Sequence, residues 1–203
     1  EDLAGGVDVT TVATVPPEQL SQLDLVARAP GVVAGVPIAA LVFENVAASA
    51  GSPVDASQDR SDGDAVVAGD VLLSIRGRTR DLLTAERTAL NLLCHLSGVA
   101  TATAKWAVAL SGSQTRVRDT RKTTPGMRLL EKQAVSYGGG MNHRIGLYDA
   151  ILIKENHIAM AGGIGQAVAA CRNEGPGLMV EVEAETLEQV EEALAPGVER
   201  ILL

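Results

Sequence analysis

The sequence has few aromatic residues, only two cysteines and no long uninterrupted apolar run. Aromatics make up 2% of its 203 residues and hydrophobic residues 46%, which predicts an aliphatic core and excludes the disordered class. Cys94 and Cys171 lack the spacing of a disulfide framework or a zinc site, and a reducing, cytoplasmic location is therefore expected. The longest uncharged apolar stretch, 29–43, contains prolines and glycines and is too short to span a membrane.

The chain also lacks an excess of positive charge, since its net charge is −8. Because a negatively charged protein is not attracted to the phosphate backbone, binding to nucleic acid is not expected. The charge is unevenly distributed. Segment 116–154 has eight cations and three acids, a net of +5, whereas the rest of the chain carries −13. A basic segment inside an acidic protein predicts a pocket for a small polyanion such as a phosphate or carboxylate. Within it, Arg128 and Lys132 are interpreted as solvated helix positions beside Glu131, without a functional role.

Several common catalytic motifs are absent. The sequence has no G-x-x-x-x-G-K-[ST] loop, no G-x-S-x-G elbow, no H-E-x-x-H and no Cys-x-x-Cys pair. The cluster Gly162, Gly163 and Gly165 is interpreted as a turn that enters a helix rather than as a phosphate cradle. His95 lies in a leucine-rich helical pattern and is interpreted as a packed or capped histidine rather than a ligand.

The first half of the chain is predicted to be an α+β unit of small strands and helices. The expected elements are a helix from Pro17 to residue 29, a strand over 32–36, a helix over 37–48, a surface loop over 51–64 and a hairpin formed by 66–68 and 71–75. A strong helix over 79–97 is expected to end at Gly98, followed by a second helix over 99–110.

The second half alternates strand-like and helical patterns. Strand-like runs begin near residues 115, 150, 178 and 199, with helical patterns at 126–137, 164–173 and 186–194. This alternation predicts an α/β fold with a parallel sheet, either a barrel or an open doubly wound sheet. Because four strands are too few for a barrel, the chain is expected to be a fragment that ends partway through one. The domain boundary is predicted between 1–98 and 99–203.

One connected block carries most of the chemistry-bearing residues: RDTRKTTPGMRLLEKQAVSYGGGMNHRIGLYDAILIKENH, at 118–157. With DVTT at 8–11, ERTALNLL at 86–93, LSGVAT at 96–101 and VEVE at Val180–Glu183, it resembles the quinolinate phosphoribosyltransferase family, and the resemblance covers essentially the whole chain. Glu155 stands in KENH where Asp is expected at least as often, a change that keeps the charge.

The resemblance implies an N-terminal α/β sandwich followed by an incomplete, seven-stranded type of α/β barrel, truncated here, in a homodimer. It also implies an enzyme of NAD biosynthesis that uses Mg²⁺. Such an enzyme joins quinolinate to 5-phosphoribosyl 1-pyrophosphate (PRPP), releasing pyrophosphate and carbon dioxide and forming nicotinate mononucleotide. Its substrates carry many negative charges, which Arg and Lys suit.

The resemblance also implies roles for individual residues. Quinolinate would contact Arg121, His143, Arg144 and Lys154, with Thr120 lining the same pocket, and Lys122 would act catalytically on PRPP and its leaving pyrophosphate. Arg87 would enter the active site of the partner subunit. Glu183 would act at the PRPP ribose and bind Mg²⁺, directly or through water. Independently, Glu181 and Glu183 alternate with valine, so both carboxylates are expected on one side of a strand.

Two alternatives remain open at this stage. A related phosphoribosyltransferase acting on nicotinate or another aromatic acid would need fewer cations than this chain offers. A noncatalytic anion-binding module on the same scaffold would bind PRPP without cleaving it in the presence of Mg²⁺.

Overall fold

A computed structural model of the chain describes residues 2–203, which form two compact units, one up to His143 and the other Arg144–Leu203. The first unit combines antiparallel strands and helices. Its elements are α1 (Val9–Thr14), β1 (Leu20–Val26), β2 (Gly31–Val32), α2 (Val36–Ser49), β3 (Val54–Gln58), β4 (Ala65–Val66), β5 (Val71–Arg78), α3 (Thr79–Ala109) and α4 (Arg128–Tyr137).

The main sheet of this unit has the order β1-β5-β3 with antiparallel pairing throughout, and β2 and β4 form a separate antiparallel pair. Its core contains Leu73 and Ile75 of β5 with Phe43 of α2, all essentially inaccessible to solvent. Aliphatic residues and alanines supply the rest of the core, as the composition predicts, because burying many small side chains can remove a large apolar area from water.

Segment 20–26 is a strand, and the prediction of a helix from Pro17 to residue 29 is wrong. The spacing of Leu20, Leu23 and Val26 resembles a helical stripe, but the inward side alternates instead through Ser21, Leu23 and Leu25. Pairing of β1 along β5 satisfies its backbone and sets this two-residue period. The short apolar run fits both patterns, and long-range pairing decides between them.

The expected hairpin and surface loop are also wrong in part. β4 pairs with β2, whereas β5 pairs with β1 and β3, so the two halves of the expected hairpin lie in different sheets. The expected loop 51–64 contains β3, whose polar sequence VDASQ gives no strand signal. The helix expected over 37–48 is confirmed as α2, and the strand expected over 32–36 is reduced to β2.

Helix α3 runs unbroken through Gly98, and the prediction of two helices separated there is wrong. Leu93, Leu96 and Ala100 are buried on both sides of this position, so packing maintains the helix through the glycine. The hydroxyls of Ser97 and Thr101 accept hydrogen bonds from Ala34 N and Val32 N at 3.1 and 2.9 Å. Side chains of α3 therefore accept hydrogen bonds from the backbone of β2 and of the residues that follow it.

The second unit contains a three-stranded parallel sheet of order β6-β7-β8. Its elements are β6 (Ile151–Ile153), α5 (Glu155–Ala161), α6 (Ile164–Glu174), β7 (Val180–Glu183), α7 (Leu187–Leu194) and β8 (Arg200–Leu202). Val180 and Val182 are fully buried in one cluster with Ile164 and Val168 of α6. Glu181 and Glu183 alternate with these valines, as expected for a strand.

The mixed α/β class and the strand–helix alternation are confirmed, and the helices expected near 126–137, 164–173 and 186–194 form as α4, α6 and α7. The strand expected near residue 115 is reduced, within residues 2–203, to a parallel bridge between Arg118 and Met141. Gly162 and Gly163 have positive φ angles of 86° and 146° and form the turn between α5 and α6, in agreement with the sequence interpretation.

Cys94 and Cys171 are free thiols, and the cytoplasmic location inferred from them stays a prediction. Among the described helices, none is both long and apolar enough to span a bilayer.

Candidate anion-binding site

Thr120, Arg121 and Lys122 lie in a loop just after the Arg118–Met141 bridge, in the first unit. The Thr120 hydroxyl accepts a hydrogen bond from Lys122 N at 3.0 Å, which shapes a local turn. Lys122 is exposed and Arg121 is half-buried. The Nε atom of Arg121 is buried and makes no hydrogen bond within residues 2–203. A buried guanidinium nitrogen of this kind suits an external carboxylate or phosphate.

His143 is held close to this loop by Asp119. The carboxylate Oδ1 of Asp119 accepts a hydrogen bond from His143 N at 2.7 Å, and Asp119 N donates to Met141 O at 3.1 Å. Through Asp119, the structure therefore places the His143 backbone beside the segment that carries Thr120, Arg121 and Lys122.

Lys132 is buried, and its interpretation as a solvated helix position without a role is wrong. Only 2% of the residue is exposed, and its Nζ lies 2.6 Å from Asp119 Oδ1 and 2.9 Å from His143 O. Its partners lie 13 and 11 positions away along the chain, so helix periodicity alone could not reveal them. Arg128 is half-buried, and its Nε donates to the Thr123 hydroxyl at 3.2 Å.

The neighbouring Glu131 is also buried and holds the far end of the same loop. One of its oxygens accepts from Thr124 N at 3.2 Å, and the other lies 2.8 Å from Nε2 of His95 on α3. Burial acts to raise the pKa of Glu131, but the hydrogen bonds from Thr124 and His95 outweigh it and hold that pKa below its ordinary value. His95 is thus a hydrogen-bonded histidine, as its sequence context predicts.

Arg144 opens the second unit, at the start of a loop that ends at β6. Its Nη1 donates to Ala150 O at 3.2 Å. Asp149 closes the loop by accepting hydrogen bonds from Ile145 N and Gly146 N at 2.7 and 2.8 Å. The loop therefore has a defined shape that fixes the direction of Arg144.

Lys154 and Glu183 form the central charge pair of the second unit. Lys154 directly follows β6 and Glu183 ends β7, its parallel neighbour, and Lys154 Nζ lies 3.4 Å from Glu183 Oε2. Both side chains line a polar cleft of about 470 Å³ with Glu185 and Gln189. Such clefts at the carboxyl ends of parallel strands are the usual ligand position in α/β proteins.

Lys154 is oriented by a histidine that the sequence interpretation did not single out. The backbone N–H of Lys154 donates to Nδ1 of His157 at 3.0 Å, across the first turn of α5. The spacing of three residues at a helix start is a capping pattern, so a local signal was available. By contrast, the roles of Asp119 and Lys132 depend on contacts between distant positions.

The Arg87 side chain is exposed on α3 and makes no hydrogen bond or ion pair with another described residue. The structure therefore does not connect it to the other predicted site residues. Among residues 2–203 there is no group of three or more His, Cys, Asp or Glu side chains arranged to hold a metal ion. Glu155, Glu183 and Glu185 are the carboxylates that line the Lys154 cleft.

These features define the class of a mixed α/β protein in which, within the second unit, a cation and a carboxylate lie at the carboxyl ends of neighbouring parallel strands. The model of the quinolinate phosphoribosyl transferase N-terminal domain matches residues 8–97, and that of its C-terminal domain matches residues 99–203. The chain therefore belongs to the quinolinate phosphoribosyltransferase family.

Individual relatives agree with this assignment. The chain is 48% identical over 203 residues to nicotinate-nucleotide pyrophosphorylase (carboxylating) of Mycobacterium leprae, covering all of this chain and 71% of that protein. It is 48% identical over 179 residues to the probable enzyme of the same name from Synechocystis, covering 88% of this chain and 59% of that protein. The crystal structure of NadC from Streptococcus pyogenes superimposes with a TM-score of 0.91 at 43% identity, covering all of this chain and 70% of that chain.

Proposed function

We propose that the protein transfers the phosphoribosyl group of PRPP to quinolinate and releases pyrophosphate and carbon dioxide, giving nicotinate mononucleotide for NAD biosynthesis. Family membership over both domains supports this reaction. The observation that carries it in the structure is the Lys154–Glu183 pair, which places a cation and a carboxylate 3.4 Å apart in a polar cleft. That combination suits a substrate with several phosphates and a developing positive charge.

The basic residues act mainly by binding and orientation. Arg121, His143, Arg144 and Lys154 hold the two carboxylates of quinolinate, with Thr120 beside them, so that the ring nitrogen faces the anomeric carbon of PRPP. Lys122 stabilises the departing pyrophosphate. The glycosidic bond to the ring nitrogen forms as the bond to pyrophosphate breaks, and Glu183 stabilises the positive charge that develops on the ribose.

Decarboxylation follows from the charge on the product of that step. Once the ring nitrogen is bonded to the ribose, its positive charge stabilises the electron pair that remains when the adjacent carboxylate leaves as carbon dioxide. A proton from solvent then replaces the lost group. This step needs no dedicated base from the chain.

Mg²⁺ fits the cleft of the second unit. Glu183 is partly exposed there, and Glu185 lines the same cleft. Mg²⁺ in phosphate-binding enzymes is commonly held by one or two carboxylates together with substrate phosphates. When bound, the ion supplies charge neutralisation for the pyrophosphate group. Glu183 would hold it, directly or through water.

The proposed function also includes a domain architecture and a dimer. The fold would be an N-terminal sandwich over 1–98 and an incomplete, seven-stranded type of barrel that begins at 99, of which this chain supplies the first part. The protein would be a homodimer in which Arg87 serves the partner's site. An exposed arginine whose side chain has no partner among the described residues is consistent with such a role.

The reaction is tested on the protein expressed from its complete reading frame. It is mixed with PRPP, Mg²⁺ and either quinolinate or nicotinate, and nicotinate mononucleotide and carbon dioxide are quantified. We expect equal yields of the two products from quinolinate. Product from nicotinate alone, without carbon dioxide, would show that the protein is instead a phosphoribosyltransferase that acts on nicotinate. PRPP binding without cleavage would show that it is a noncatalytic anion-binding module.

Substrate assignment is tested with Arg144→Ala. Loss of this guanidinium should raise the KM for quinolinate by about tenfold or more and that for PRPP much less, because arginine forks recognise planar carboxylates. Arg116→Ala is the matched control, since it removes an exposed arginine of the same basic segment. An equal rise of both KM values in Arg144→Ala would contradict the assignment.

The role of Arg87 across a dimer is tested by mixing Arg87→Ala with Lys122→Ala, each inactive alone. If Arg87 acts in the partner's site, each mixed dimer regains one intact site, and random exchange should restore about a quarter of wild-type activity. If Arg87 acts within its own subunit, every site keeps one defect and activity stays absent.

A further inference from the structure

The first unit contains a buried ion pair that no step of the proposed reaction uses. The side chains of Lys132 and Asp119 are 3% and 7% exposed, and their charged atoms lie 2.6 Å apart. Removing two charges from water carries a desolvation penalty that often cancels their attraction, so stability alone is a weak explanation for such a pair. The position of the Lys132–Asp119 pair beside the proposed binding residues offers a better explanation.

The pair forms hydrogen bonds with both the backbone nitrogen and the carbonyl oxygen of His143. Asp119 Oδ1 accepts from His143 N at 2.7 Å, and Lys132 Nζ donates to His143 O at 2.9 Å. Asn142 adds a third connection: with its amide oriented to satisfy both neighbours, its nitrogen donates to Asp119 Oδ2 and to Lys132 O, each at 2.8 Å. The backbone of residues 142 and 143 is thereby fixed to α4 and to Asp119.

Asp119 also fixes the other binding segment, because Thr120, Arg121 and Lys122 follow it directly in the chain. Its own backbone is anchored by Asp119 N to Met141 O at 3.1 Å, and Met141 N donates to Val117 O at 2.9 Å. At the far end of the loop, Glu131 accepts from Thr124 N at 3.2 Å. Two consecutive charged residues of α4 therefore hold the loop near both of its ends.

We infer that Asp119 and Lys132 are positioning residues that set the distance and angle between the Thr120–Arg121 loop and His143, and so the affinity for a planar dicarboxylate. This inference rests on the proposed function. Recognition of two adjacent carboxylates depends on donors held within narrow limits of distance and angle. Charged supporting groups commonly set that geometry for the residues that touch the ligand.

The decisive variant is Asp119→Asn/Lys132→Met in the complete protein, because it removes both charges and leaves neither buried without its partner. An asparagine oxygen can still accept from His143 N, but the strong ionic grip is lost. We expect the KM for quinolinate to rise by about tenfold or more, with the KM for PRPP changing less than about threefold. In the proposed function PRPP is bound by Lys122 and by Glu183, and PRPP is less affected because the position of Glu183 does not depend on this pair. Calorimetric titration with quinolinate should show a matching loss of affinity.

Two further variants separate positioning from general destabilisation. Leu130→Ala removes a partly buried side chain of α4 that packs against the cluster containing Leu96 and Ala100, and it should lower the melting temperature while leaving both KM values unchanged. Asn142→Ala removes an exposed partner of Asp119 and keeps the buried pair; it should raise the KM for quinolinate by about threefold. It serves as the working variant if the double replacement fails to fold.

The outcomes are distinct. A wild-type protein that neither binds quinolinate nor forms product from it would overturn the proposed function, and this inference with it. A wild type that turns over quinolinate, with variants whose KM for quinolinate stays within twofold or rises equally with that for PRPP, would overturn the positioning role alone. A Leu130→Ala variant that shows the same selective rise would also overturn it, because loss of stability would then be sufficient.

Discussion

At the scale of single residues, the candidate site depends on polar groups that orient the binding side chains. His157 is the clearest example, because its Nδ1 accepts the Lys154 N–H at 3.0 Å where α5 begins. This contact requires an imidazole whose Nδ1 carries no proton. His157 therefore sets the backbone direction at Lys154, whose Nζ reaches Glu183.

We predict that His157→Ala raises the KM for quinolinate several-fold and lowers stability by about 1 kcal/mol, as expected for a lost helix cap. His157→Gln is the matched control, because a glutamine oxygen at this third helical position can accept the same N–H, as in a capping box. Steady-state kinetics and urea unfolding of the complete protein measure the two effects. Equal KM values for the two variants would show that the hydrogen bond does not orient Lys154.

At the scale of secondary-structure elements, α3 shows how packing overrides a local stop signal. Gly98 lies inside the helix, and an added Cβ there would meet no atom within 4 Å. Gly138 differs, because an added Cβ would collide with the carbonyl oxygen of Ala100. The close approach of α3 to the end of α4 thus requires glycine at residue 138 but not at residue 98.

We predict that Gly98→Ala stabilises the protein by about 0.5–1 kcal/mol, because alanine loses less backbone entropy in a helix than glycine. Gly138→Ala should destabilise it, since the Ala100 backbone would have to move. Chemical unfolding of both variants tests this pair. A destabilised Gly98→Ala would indicate that the open space beside residue 98 is filled in the assembled protein.

The same elements show what the sequence can predict. Helices α2, α6 and α7 and strands β7 and β8 carry clear periods and turn residues, and the sequence predicts each to within a few positions. The sequence of β1, LSQLDLV, fits both periods and wrongly predicts a helix, whereas that of β3, VDASQ, has little apolar character and predicts a loop. In both strands the deciding interaction is pairing with β5, a contact between distant segments.

The site follows the same division. Arg121, Lys122, Arg144 and Lys154 follow from the charge distribution and the motif resemblance, because each lies in a short basic segment. Lys132 is wrongly predicted to be solvated, because its spacing from Arg128 is that of a solvated helix face. Only the fold reveals that it reaches Asp119 and His143.

At the scale of the whole molecule, buried carboxylates make stability depend on pH. The pKa of Glu131 lies below its ordinary value of 4.5, because hydrogen bonds from Thr124 and His95 outweigh the effect of burial. Asp8, Glu188 and Glu199 have lowered pKa values as well, through hydrogen bonds at exposed positions. A carboxyl group with a lowered pKa in the folded state stabilises that state at pH values above its unfolded pKa.

We predict that the contribution of ionised Glu131 to the free energy of unfolding is fully present and independent of pH near neutrality, and that it falls as the pH drops below about 4.5 toward the lowered pKa. Glu131→Gln should be less stable than the wild type at neutral pH, and the difference should shrink through this acid range, because the wild-type carboxyl group becomes protonated there. Glu155→Gln, an exposed change at the start of α5, is the control. Urea unfolding between neutral and acid pH measures the three proteins, and a wild-type advantage over Glu131→Gln that persists undiminished in acid would show that its ionisation does not support the fold.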